Sequence, residues 1–179
     1  MLPIIMAIMM HFSTWEGGSP ISYNYLHGVI LIVSHDAPFN TGIPGLKLLL
    51  HGTAAVESDY GYATKQIKGP ALGIFQITPN TYSALNEEYL KDKPTYKDWL
   101  SGFAIKSFDT EGNLRYNVPY QVACALLIYK MKGAFNRRLD STANRARVYK
   151  KLWNTPKGKS TVKKYIEKKR AANDIPSNP

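Results

Sequence analysis

The chain has 179 residues, 44% of them hydrophobic and 20% charged, an ordinary globular composition, long enough to bury one core without disulfide staples. Its 23 Lys and Arg against 13 Asp and Glu leave a net charge of +10, so an anionic partner is expected; nucleic acid and bacterial cell-wall polymer are drawn by the same long-range field. The single cysteine, Cys124, excludes an internal disulfide, and His11, His27, His35 and His51 lack the spacing of metal ligands, so no metal or other cofactor is expected.

Residues 1–10, MLPIIMAIMM, are apolar but short of the roughly 20 residues that span a bilayer. They have no basic start, and no small-x-small cleavage pattern follows them. A second apolar run, Val29-Ile30-Leu31-Ile32-Val33, suits a short buried strand or part of a helix. Residues 36–45, with two prolines and two glycines, read as a linker. Residues 1–40 are therefore expected to be an N-terminal extension, an irregular packed segment or mobile tail or else a weak export or anchoring signal, ahead of a domain over residues 41–172.

Pro44 and Gly45 open a run that predicts a helix of about four turns. On a helical wheel Leu46, Leu50, Thr53 and Glu57 share one side, which puts a carboxylate on the inward stripe. In a poorly solvated place such a group holds its proton to higher pH and can act as a general acid. The competing reading has Glu57 at the helix end, in water or paired with Lys65 or Lys68. A polar loop over residues 61–69 leads into Gly-Pro-Ala-Leu-Gly-Ile-Phe-Gln-Ile-Thr-Pro-Asn-Thr. There Gly73 would let backbone approach a ligand, and Gln76 places an amide donor and acceptor in an apolar run. Thr78 and Pro79 read as the N-cap and first turn of the next helix.

That helix is expected over residues 79–90, with Tyr82, Leu85 and Leu90 inward, and a short one over 94–103. Residues 105–117 read as a loop or small hairpin around Glu111-Gly112-Asn113 that edges a groove. Asp109 and Glu111 lie there, as solvated turn residues or as the source of a second carboxylate. Residues 118–132 form the most apolar helix, closed by Gly133, with Cys124 as a small core residue. Ser141 caps a helix to Trp153 that has Ala143, Ala146, Tyr149 and Trp153 on one face. A last helix over 160–172 carries Lys163, Lys164, Lys168, Lys169 and Arg170 against Glu167. It is either a solvated face or an electrostatic anchor on an anionic wall or membrane surface. Residues 173–179 are expected to form a flexible tail. No repeat and no glycine-rich phosphate loop occurs.

Glu57-Ser58, followed by Gly73-Ile74-Phe75-Gln76-Ile77 with Pro79 and Thr81 behind it, resembles the paired motifs of the soluble-type (SLT) lytic transglycosylases of the lysozyme-like superfamily. The wording from Gly69 to Gln76 looks like the branch found in phages and prophages. The likeness spans roughly residues 41–165. It implies a mainly α, lysozyme-like (α+β) single domain, with helices around a central buried helix and a small hairpin or loop region edging the groove. It also implies a monomeric enzyme acting on peptidoglycan glycan strands, with no specific nucleic acid partner. Such a protein is made in the host cytoplasm and acts at the wall or periplasm, or is carried in the virion.

The resemblance makes Glu57 acid and then base, with Ser58 orienting the acid or the substrate. Gln76 and the backbone around Gly73 and Ile77 would hydrogen-bond the glycan. Tyr129 aligns with the tyrosine of the family's Ala-Tyr-Asn motif, which approaches the acid, although Lys130 replaces the asparagine; otherwise Tyr129 is a core residue. Three other functions stay open. One is a hydrolytic lysozyme in which Asp59, Asp109 or Asp140 positions a water. The others are a noncatalytic wall-binding or virion structural protein, and a nucleic-acid module suggested by the charge alone.

Overall fold

A computed structural model of the protein describes residues 21–66, 69–154 and 158–173, with side chains up to residue 168. In chain order its α-helices are α1 (Tyr23–His35), α2 (Leu46–Ser58), α3 (Pro79–Ser83), α4 (Pro94–Ser101), α5 (Thr110–Tyr116), α6 (Val118–Met131), α7 (Thr142–Val148) and α8 (Val162–Asn173). α3 and α7 run on into wider π turns, Ala84–Tyr89 and Tyr149–Asn154. The result is a mainly helical single small domain. Among the described residues β-structure is confined to two isolated antiparallel bridges, Lys65 with Leu72 and Leu72 with Ile77.

Local chemistry accounts for most helix starts. Side-chain oxygens of Ser22, Thr78, Asp109, Asn117 and Ser141 accept backbone N–H groups at the first turns of α1, α3, α5, α6 and α7, and each satisfies a donor that the helix leaves unpaired. The centre of the domain is α6, in which twelve of fourteen residues are buried. A helix apolar all round must be covered all round. α1, α5 and the π turn after α3 supply much of that cover, and Gly133 closes α6 with a left-handed φ of 76°.

Two sequence expectations are decided. Residues 29–33, open between a buried strand and part of a helix, lie in the helix α1, whose Leu26, Val29, Ile30 and Val33 are buried in the core. The packed domain therefore takes in residues 21–40, with Tyr23 stacked 4.1 Å from His51 of α2 and His27 Nδ1 3.2 Å from His51 Nε2. Residues 1–20, with the apolar run at their start, lie outside the described residues, as do those after 173. Residues 105–117 are not a hairpin. Asp109 Oδ1 accepts the Gly112 N–H at 2.7 Å, so the glycine that reads as a turn instead stands in the first turn of α5, and Leu114 is buried.

The linker over residues 36–45 is pinned to α6. Phe39 packs on Tyr96, Trp99 and Phe135, and the Lys130 ammonium lies 4.9 Å from the Phe39 ring centre and 5.0 Å from that of Phe135. Lys130, the residue that departs from the Ala-Tyr-Asn pattern, thus makes cation–π contacts away from the acid.

α8 lies closely along α2. Gly52 makes this possible, because a Cβ there would collide with the ring and hydroxyl of Tyr165. Gly52→Ala is expected to destabilise the protein by about 1–3 kcal/mol. Gly28→Ala in α1, where a Cβ meets nothing within 4 Å, is expected to be neutral or stabilising by up to ~1 kcal/mol. Urea unfolding of both variants measures the contrast.

Candidate active site

α2 ends at Glu57 and Ser58, and the chain then reverses through left-handed Asp59 (φ 54°), Tyr60 (φ 58°) and Gly61 (φ 92°). The reversal exposes one edge of the last helical turn and buries the other. Ser58 is on the buried edge. Its hydroxyl donates to the Ile74 carbonyl at 2.7 Å and accepts the Gly61 N–H at 2.8 Å, so it fastens the end of α2 to the turn over residues 72–77. Its one proton is thus committed to backbone, and the buried hydroxyl keeps a lone pair but no donor for acid or substrate.

That turn is closed by Leu72 and Ile77, whose backbones exchange hydrogen bonds of 3.0 and 2.9 Å. The Ile77 N–H and C=O are therefore both paired within the protein, and Ile77 lines the cleft. Gly73 has φ 72°, and an added Cβ would strike Gln121 Oε1 and the Leu114 carbonyl. The close approach that Gly73 permits is to α5 and α6 rather than to a ligand. Gln121 Oε1 then accepts the Ile74 N–H at 2.6 Å. Gln76, with φ 49°, donates both amide hydrogens, to Ala63 O at 3.0 Å and Gly73 O at 2.8 Å. Its Oε1 has no hydrogen-bond donor among the described residues, so what it offers a ligand is an acceptor.

Glu57 and Gln76 line a cleft of about 280 Å³, a size suited to a small ligand or a few sugar units' contact surface. Gln66, Ala71, Thr78 and Thr81 contribute from the same stretch of chain, and Lys132, Trp153 and Asn154 from the ends of α6 and α7. Glu57 is largely buried, and desolvation raises its pKa above the usual value, outweighing the opposing effects of a Tyr149 hydrogen bond and the Lys164 charge. The Tyr149 hydroxyl donates to Glu57 Oε1 at 2.7 Å, which leaves Oε2 as the oxygen free to carry or take a proton. Tyr149 is fully buried and packs on Tyr165, with ring centres 5.2 Å apart, and the Tyr165 hydroxyl reaches the Leu48 and Leu49 carbonyls at 3.3 Å.

Tyr129 is close by but does not bond the acid. Thr53 Oγ1 donates to the Leu49 carbonyl at 2.8 Å, and with its one proton spent it accepts from the Tyr129 hydroxyl at 2.6 Å. Thr53 lies one helical turn before Glu57, and Tyr129 leaves α6 at that level. Helical periodicity puts Tyr149 on the inward face of α7, and a buried tyrosine needs a partner; that pairing was the available signal for the residue that touches the acid. Trp153 shares that face, whereas Lys132, Asn154 and Gln66 carried no comparable signal.

None of the candidate second carboxylates lines the cleft. Asp59 pairs with Lys168 at 2.8 Å, Glu111 with Lys65 at 3.4 Å, and Asp109 caps α5. Asp140 bonds Arg138 and Asn144, which hold its carboxyl down at about 2. Glu57 is the one carboxylate lining the cleft among the described residues. Nor do three His, Cys, Asp or Glu side chains come together among those residues to hold a metal. Comparison of the chain with protein-family models, with curated proteins and with solved structures found no match.

The raised pKa of Glu57 has a consequence for stability. A carboxyl that binds its proton more tightly when folded stabilises the fold relative to its ionised form, a benefit complete below pH 4.5 and lost as pH rises through the folded value. Gln in its place escapes that loss and still accepts from Tyr149. The melting temperature of Glu57→Gln is expected to exceed that of the wild type at pH 7 to 8, with the gap closing toward pH 4. Tyr149→Phe removes a contact that favours the carboxylate, so a 13C titration of the Glu57 carboxyl is expected to move to higher pH in that variant.

Proposed function

We propose that the protein is a peptidoglycan lytic transglycosylase, of phage or prophage type, which cuts the β-1,4 bond from N-acetylmuramic acid to N-acetylglucosamine and leaves a 1,6-anhydro end. The observation that carries this reading is Glu57: one carboxylate lining a cleft, desolvated so as to hold a proton, with Tyr149 fixing one of its oxygens. The motif likeness around residues 57–58 and 73–77 supplies the family, and on the same ground we read the helical domain as lysozyme-like and monomeric.

In this mechanism protonated Oε2 of Glu57 donates to the glycosidic oxygen, and the bond from that oxygen to the muramyl C1 breaks with its electron pair leaving on oxygen. The Glu57 carboxylate then takes the proton of the same sugar's C6 hydroxyl as O6 attacks C1. The proton returns to Glu57, and no water is consumed. Tethering the nucleophile to the reacting sugar gives it a high effective concentration. Hydrolysis by the same acid would need a second group to place water, commonly a second carboxylate. Asp59, Asp109, Glu111 and Asp140 are engaged elsewhere, which favours the internal nucleophile. Gln76 Oε1 is a natural acceptor for a sugar hydroxyl or amide. The basic α8, where Lys164 faces Glu57 electrostatically and Lys168 bridges to Asp59, adds long-range attraction to an anionic wall or membrane.

Mass spectrometry of fragments released from purified peptidoglycan is expected to find 1,6-anhydro muropeptides with the wild type. Glu57→Gln should keep the fold and lose about 10²–10⁴ of the rate, the usual contribution of a general acid–base group. Reducing ends in place of anhydro ends would make the enzyme a lysozyme. Undiminished release by Glu57→Gln would sink the acid assignment, and binding to walls with no release would mark a noncatalytic wall-binding protein.

A further inference from the structure

Lys132 is the charged residue of the cleft that the mechanism above does not use. It follows α6 directly and lines the same cleft as Glu57, with its ammonium 6.0 Å from the ring centre of Trp153. Lys130, two residues earlier, is directed to the aromatic cluster around Phe39 instead. No carboxylate pairs with Lys132 among the described residues, and the cation that acts on Glu57 is Lys164. Burial pushes the Lys132 pKa down, the mark of an ammonium that has lost water without gaining a counter-ion. With Glu57 in its acid form, the remaining polar residues of the cleft are neutral: Gln66, Gln76, Thr78, Thr81 and Asn154. The lining then carries one positive charge and no negative one, so it favours a ligand that brings a single anion.

This step rests on the transglycosylase reading, because the substrate's chemistry names the anion. Along a glycan strand the muramyl sugar is the one that bears an acid, the lactyl ether on C3, two ring atoms from the C1 at which Glu57 works. Where a stem peptide is attached, that acid is an amide and carries no charge. We propose that Lys132 binds the free lactyl carboxylate of the muramyl residue, so that the enzyme prefers glycan from which the stem peptides have been removed. An amidase that hydrolyses the bond between lactyl group and peptide would then supply its substrate.

The test uses the full chain as wild type, Lys132→Met and Lys132→Arg on three soluble glycans of equal length. The lactyl acid is free in one, a methyl amide in the second and linked to its peptide in the third. On the free acid, Lys132→Met is expected to raise KM by about 10- to 100-fold, the cost of a lost charge-assisted contact. The change in kcat should be smaller, and Lys132→Arg should recover most of the loss. The ratio of the two KM values should be at least tenfold smaller on the methyl amide and the peptide-linked glycan. A ratio equal on all three substrates, or largest on the peptide-linked one, would overturn the proposal.

If the wild type cleaves none of them, the transglycosylase reading falls, and Lys132 is then judged by calorimetric binding. A tenfold preference of the wild type for the free acid over its methyl amide, lost in Lys132→Met, supports the carboxylate site. Equal or undetectable binding of the two ligands overturns it.

Discussion

The geometry of the cleft depends on how closely α8 approaches α2, and that approach exists because residue 52 has no side chain. Tyr165 fills the space over Gly52, and Tyr149 packs on Tyr165 and presents its hydroxyl to Glu57. An acid at a helix end is ordinarily free to swing into water. Here its orientation is inherited from a pair of packed rings anchored on backbone carbonyls more than two turns earlier in α2. Packing and acidity are therefore one problem: the contacts that exclude water from Glu57 also hold it still.

Around this contact the polar groups form two separate chains. One runs from Tyr129 through Thr53 to the Leu49 carbonyl and is wholly internal. The other runs from the 72–77 turn through Ser58 to the end of α2 and through Gln121 to α6. Each member has its proton direction set by its partners, which suits a site whose acid must start protonated. Gln76 completes the arrangement by spending its donors on backbone and keeping an acceptor for a ligand.

Much of this was readable in the sequence, for identifiable reasons. The inward placement of Glu57 follows from the spacing of Leu46, Leu50 and Thr53, and the caps at Thr78 and Ser141 follow from residue type beside a following apolar pattern. Periodicity, however, gives the face of a helix and not its height along a neighbour. Tyr129 and Tyr149 both point inward, and which of them meets Glu57 depends on the axial offset between α6, α7 and α2. Gly112 was misleading because a glycine beside acidic and amide residues has the composition of a turn, whereas its N–H is what Asp109 caps. Motif position alone assigns Ser58 to orienting acid or substrate and Gly73 to a ligand, because it carries no information about which partner consumes a hydroxyl or occupies the space above a glycine.

α1 has a bearing on where this protein can be divided. α6 is apolar on every side, and the strip of it that α1 covers would otherwise be an oily stripe along the middle of the molecule. Ile21 is tied to the Tyr60 carbonyl at 2.8 Å, so α1 also braces the reversal that follows Glu57. A fragment trimmed to the motif-bearing region would keep every residue of the cleft and still lack its cover and this brace. The smallest cooperative unit is thus larger than the smallest recognisable one, and its N-terminal limit is set by burial of α6 rather than by the chemistry at α2.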